Sequence, residues 1–203
     1  MRYVIVVLLS YLIGCSSMAL YLSRMKKTDV RQAGSGNLGT SNAVLLLGWR
    51  AGILVGLHDI GKAFLAVHLA QWQFPLLPHA GAVAGVACVL GHIFPFYLRF
   101  KGGKGFASYL GMTLALNWKF ALIILIAVVV LTLLTDYIVV GTFTTVVSVP
   151  LYLGIARHSL LLAMILCIAT AVILFKHREN LVRICRGTEI GLRSAIRGDH
   201  RRH

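Results

Sequence analysis

Two runs, Phe120–Leu134 and Leu160–Phe175, carry no charged side chain. A helix needs ~20 predominantly apolar residues to cross the hydrocarbon core of a bilayer. With their flanks both runs approach that length, and the pattern recurs along the chain. Apolar segments cover about 2–22, 45–70, 78–98, 105–117, 119–135, 138–155 and 159–178. Only 13% of the residues are charged, and mean hydropathy is +0.83. A soluble domain carries about 25% charged residues. The expected fold is therefore an all-α polytopic membrane protein of about seven transmembrane helices. The apolar start is read as a retained first helix, because it lacks a basic region beyond Arg2 and a convincing cleavage site.

The loops between these segments differ in charge. Residues 23–44 carry Arg24, Lys26, Lys27 and Arg31, residues 99–104 carry Arg99, Lys101 and Lys104, and the chain from 176 carries eight basic residues. The alternate loops hold only Lys119 and Arg157. Basic loops stay cytoplasmic. Seven spans then leave the N-terminus outside and the C-terminus in the cytoplasm. The net charge of +14 suits anionic lipid heads and anionic substrates. No motif of a nucleic-acid binder appears, no protein partner is called for, and no metal or cofactor spacing exists. Cys15, Cys88, Cys167 and Cys185 stand far apart and read as small membrane residues.

Three polar stretches fall on the basic side. In "GSGNLGTSN", glycines Gly34, Gly36 and Gly39 alternate with Ser35, Asn37, Ser41 and Asn42. Such a pattern can turn backbone N–H groups and side-chain donors toward one anion. In "GHIFPFYLRFKGGKG", Gly102, Gly103 and Gly105 permit close backbone approach, and Lys101 and Lys104 add charge where a helix begins. His92 in the preceding helix serves equally as a packing residue or a ligand. In "FKHRENLVR", His177 and Asn180 share a helix face, with Arg178 beside them. His177 suits proton transfer or anion binding. Asp59 and Lys62 lie three apart inside an apolar segment, where they pair or face the bundle interior.

Together the three stretches resemble the motifs of the acyl-phosphate-dependent glycerol-3-phosphate acyltransferases of bacteria, the PlsY type. They read "GSGNLGTSNAVL" from Gly34, "GHIFPFYLRFKGGKG" from Gly91 and "HRENLVRICRGTE" from His177 to Glu189. The resemblance implies a bacterial inner-membrane enzyme of seven helices with its motif loops in the cytoplasm. It implies acyl transfer from acyl phosphate to the 1-hydroxyl of glycerol 3-phosphate, giving lysophosphatidic acid and phosphate without a cofactor. Ser35, Lys104, His177 and Asn180 are the implied catalytic residues. Gly34, Gly36, Asn37, Gly39, Ser41, Asn42, His92, Lys101, Gly102, Gly103, Gly105 and Arg178 are the implied substrate-binding set, and Glu189 a structural acid. One position departs: the family arginine that closes the first motif is Leu45 here, and leucine cannot hold a phosphate. Arg50, Lys62 and Lys101 are candidate substitutes. Two other readings are a relative with a different phosphorylated acceptor, and a lipid-binding or transport protein built around Asp59 and Lys62. The expected organisation is one domain over 1–190 and a basic tail over 191–203.

Overall fold

The computed structural model describes residues 1–34 and 36–197, with only the backbone of 195–197. Among these residues there is helix and loop but no strand. The chain forms two compact units, Met1–Trp118 and a second from Lys119 onward, each described by itself. The first contains α1 (Arg2–Cys15), α2 (Met18–Met25), α3 (Thr40–Leu47), α4 (Trp49–Gln73), α5 (Ala80–Ile93) and α6 (Phe106–Leu116). The second contains α7 (Trp118–Thr135), α8 (Ile138–Ala156), α9 (Leu160–Cys185) and α10 (Leu192–Arg197).

Six helical stretches among the described residues are long and apolar enough to cross a membrane, α1 with α2 counting as one. The remaining expected span is α6, apolar but only 11 residues long. At ~1.5 Å per residue it rises about 16 Å, roughly half the hydrocarbon thickness. Large apolar side chains such as Leu8, Leu57, Ile126 and Leu160 point outward, as a lipid-facing surface requires.

Packing in the first unit relies on small residues, because lipid tails give helices no hydrophobic reason to associate. A Cβ on Gly14 would collide with the backbone of Cys88, and one on Gly91 with the backbone of Tyr11. These contacts bring α1 and α5 together. The first apolar segment is not the single helix that its composition suggests. It breaks at Ser16–Ser17, where the Ser17 hydroxyl caps α2 by accepting from the Leu20 N–H at 3.3 Å. The carbonyls freed by the break find donors inside the protein: Tyr97 Oη donates to Cys15 O at 2.7 Å and Lys62 Nζ to Ser16 O at 2.8 Å.

The second unit solves the same problem at Pro150, inside α8. Proline has no N–H, so the carbonyl four residues earlier, Val146 O, loses its helical donor. Thr170 Oγ1 of α9 donates to that oxygen at 2.7 Å. At the other end, Asp136 takes Leu192 N–H on its carbonyl oxygen and Arg193 N–H on Oδ1, both at 2.8 Å, fixing the start of α10. Thr170→Val should cost about 1 kcal/mol, the net worth of such a bond, read as a lower Tm in detergent; an unchanged Tm would show that the Val146 carbonyl needs no partner.

Candidate active site

The first polar loop runs from Lys26 to Gly39, between α2 and α3. Asn42, in the first turn of α3, is buried and ties it together. Its Nδ2 donates to Val30 O at 2.8 Å and to Asn37 O at 2.9 Å. Asn37 Oδ1 in turn accepts from Gly39 N–H at 2.8 Å, an Asx turn. At the loop's outer edge Arg31 forks onto Asp29 through two 3.0 Å bonds, which lowers the Asp29 carboxyl to about 2. Gly34, Gly36 and Ser41 are exposed here; Ser35 lies outside the described residues.

The second loop folds back along the end of α5. The last carbonyls of a helix lack intrahelical donors. Here the following glycine strip supplies them: Gly103 N–H donates to His92 O at 3.2 Å and Gly102 N–H to Ile93 O at 3.0 Å. Two consecutive left-handed residues, Arg99 (φ 53°) and Phe100 (φ 60°), make the reversal. A side chain at Gly102 would strike His92 O, and one at Gly103 would strike the His92 ring. These two glycines therefore serve close approach, and their N–H groups complete α5. Lys104, half-buried, and Gly105 (φ +95°) follow at the N-terminus of α6, the end of a helix that favours anions. Lys101 is exposed.

The two loops meet. Leu38 N–H reaches Gly102 O at 3.5 Å, and Leu98 packs against the apolar cluster that contains Leu38, Ala43 and Leu47. The chain at Leu38 and the glycine strip at Gly102 thus belong to one assembly. Beneath it lies a buried cluster. Lys62 Nζ sits 2.8 Å from Asp59 Oδ1 and 2.9 Å from His92 Nδ1. Asp59 Oδ1 is also 3.3 Å from His92 Nδ1 and 3.5 Å from His58 Nδ1. The Asp59–Lys62 pairing is one of the two arrangements that the sequence allowed. Its link to His92, 30 residues from Lys62, was not visible there, since no local pattern relates them.

In the second unit, the inward face of α9 carries His177 and Asn180, both buried. His177 Nδ1 lies 2.9 Å from Ile173 O, and its ring meets Phe143 edge-on. Asn180 Nδ2 donates to Glu189 Oε1 at 2.5 Å, while Arg183 Nε donates to Glu189 Oε2 at 2.6 Å. Glu189 therefore orients Asn180 from beyond the end of α9. Arg178 is exposed, its guanidinium 3.9 Å above the Phe175 ring. Leu45 is half-buried in α3. Of its candidate substitutes, Lys62 has all three N–H groups engaged within the buried cluster, whereas Arg50 and Lys101 are exposed.

Apolar helices of membrane-spanning length, with a glycine strip, a lysine and a helix N-terminus at one loop, define an integral membrane protein whose polar edge suits an anion. Residues 4–187 match the glycerol-3-phosphate acyltransferase family model, and the chain belongs to that family. A glycerol-3-phosphate acyltransferase of Lactiplantibacillus plantarum is 35% identical over 93% of this chain and 91% of its own length. One of Aquifex aeolicus is 31% identical over 93% and 98%. The crystal structure of PlsY, an integral membrane glycerol 3-phosphate acyltransferase, in its glycerol 3-phosphate form superposes with a TM-score of 0.88 at 30% identity, covering 96% of this chain and 97% of that one. Its lysophosphatidic acid form gives 0.84.

Gly103→Ala should push the His92 ring away and cost about 1–3 kcal/mol, the range for overpacking a filled site. Thermal unfolding in detergent checks this; a wild-type Tm would mean that the ring yields freely.

Proposed function

We propose that this chain transfers a fatty acyl group from acyl phosphate to the 1-hydroxyl of glycerol 3-phosphate, releasing 1-acylglycerol 3-phosphate and phosphate, the first step of phospholipid synthesis. The observation that carries this reading is the Gly91–Gly105 assembly, in which a glycine strip folded on α5 delivers Lys104 to the N-terminus of an apolar helix. Both substrates bear phosphate and one is half lipid. Such a pair needs positive charge and N–H donors at the edge of a greasy bundle.

Acyl phosphate is an activated mixed anhydride, so positioning the hydroxyl against its carbonyl supplies much of the acceleration. The hydroxyl oxygen bonds to the acyl carbon, the bond from that carbon to the phosphate oxygen breaks, and the hydroxyl proton ends on the departing phosphate. Lys104 and Ser35 stabilise the charge that grows on carbonyl and phosphate. His177, with its Nδ1–H donated to Ile173 O, presents Nε2, which takes the hydroxyl proton and passes it to the departing phosphate. Asn180, held by Glu189, orients the acceptor. Gly34, Gly36, Asn37, Gly39, Ser41, Asn42, His92, Lys101, Gly102, Gly103, Gly105 and Arg178 form or shape the surface that receives the two phosphates. Neither a protein partner nor a cofactor is needed. One domain over 1–190 would carry all of this, with the loops on the cytoplasmic side of a bacterial inner membrane, an orientation supported by their excess of lysine and arginine.

Leu45 favours a second reading, a different phosphorylated acceptor, because the anchoring charge of the first motif is missing. Purified protein given palmitoyl phosphate should release phosphate only with glycerol 3-phosphate, and Lys104→Ala or Asn180→Ala should abolish the release. Acceptor-independent release would turn the reading toward other alcohols. Leu45→Arg should lower the acceptor KM about tenfold, the value of one charge-assisted bond; an unchanged KM would mean that no anchor is missing.

A further inference from the structure

Among the described residues, Asp59 and Lys62 form a buried ion pair that the acyl-transfer reading leaves without a role, and both approach His92 of the implied substrate-binding set. Asp59, Lys62 and His92 are all at least nine-tenths buried. A buried ion pair gains little over apolar residues of the same size, and ionisable groups inside a membrane bundle mark function more often than stability. Its hydrogen bonds have a direction. An ammonium has three N–H donors and no acceptor. Those of Lys62 have three acceptors within 2.9 Å: Asp59 Oδ1, Ser16 O and His92 Nδ1. The closer approach of Lys62 favours the ring nitrogen as acceptor, with no proton on Nδ1. Asp59 Oδ1 would accept from a protonated Nδ1, but it stands at 3.3 Å, farther than Lys62. His58 completes the surroundings, its Nε2 3.3 Å from Ser16 Oγ.

A neutral imidazole with a bare Nδ1 carries its proton on Nε2. That edge of the ring faces the glycine strip, for a Cβ on Gly103 would collide with Nε2 and lie 2.7 Å from Cε1. We propose that Asp59 and Lys62 are positioning residues that lock His92 in the Nε2–H form, so that it presents a neutral donor beside Gly103 to the phosphate of the acceptor. This rests on the acyl-transfer reading above and adds to it the task of the buried pair. A second-sphere partner that fixes a histidine tautomer is a recurrent device in sites where one ring nitrogen must donate.

The first test is nitrogen NMR of full-length protein in lipid bilayers with ¹⁵N-labelled histidine, the His92 signals assigned by their loss in His92→Gln. An unprotonated Nδ1 and a protonated Nε2 are expected; a protonated Nδ1 overturns the proposal. The second is kinetic. Asp59→Asn combined with Lys62→Met removes both charges and strands neither. The folded double variant should show an acceptor KM raised about tenfold, with the KM for palmitoyl phosphate unchanged. A folded double variant with a wild-type acceptor KM overturns it. Should that variant not fold, His92→Phe and His92→Gln decide: the amide of Gln should recover part of the acceptor affinity that Phe loses, and equal losses overturn the role as donor. If the wild type shows no acceptor-dependent phosphate release, the acyl-transfer reading falls, while the NMR result still decides the tautomer.

Discussion

Backbone N–H and C=O groups cannot be left unpaired in a bilayer, and the architecture of this chain follows from how it meets that rule where its helices are interrupted. At Ser16–Ser17 a lysine and a tyrosine from other segments cover the open carbonyls. At Pro150 a threonine from the neighbouring helix does so. After α5 the glycine strip itself supplies the donors. The last case is the one with chemical consequence. Because the strip completes α5, it is held against rigid structure, and Lys104 leaves it at a defined place. Irregular backbone at the edge of a bundle thereby becomes a precise platform.

The same strip reconciles two demands that conflict in most environments. A fatty chain needs an apolar surface, whereas two phosphates need charge and donors. The apolar exterior of the helices serves the first. The proposed site assigns the second to groups that carry little apolar bulk: glycine backbone, a helix N-terminus, a lysine and buried amides. Asn42 and Asn180 illustrate the division of labour. Each uses an amide hydrogen to hold local structure, the first loop in one case and Glu189 in the other, so both side chains of the proposed site are already fixed by the protein's own contacts.

The apolar segments were legible because hydrophobic run length reports a membrane span directly, but two limits differ: α4 begins only at Trp49, after the separate α3, and α9 continues past 178 to Cys185 because its polar end is helical too. The break at Ser16–Ser17 was not legible. Nothing local announces it; the groups that stabilise it lie 46 and 82 residues away. Composition also marked the three polar stretches but not their internal division. Gly102 and Gly103 looked like donors to an anion as readily as spacers, and only the carbonyls of His92 and Ile93 reveal which they are. The spacing of His177 and Asn180 fixed their common face through helical geometry alone. His92 stayed ambiguous between packing and binding because its meaning depends on Lys62, which is near it only in the folded chain. Leu45 stood out solely by comparison with the family motif.

The central claim is that a hydroxyl of glycerol 3-phosphate attacks the acyl carbon of acyl phosphate in this protein. It is tested most directly by supplying glycerol 3-phosphate labelled with ¹⁸O at the 1-hydroxyl, together with palmitoyl phosphate, and analysing the products by mass spectrometry. The account predicts that the label is retained in the ester of 1-acylglycerol 3-phosphate and is absent from the released phosphate. Free fatty acid as the sole acyl product, or an ester without the label, would contradict it.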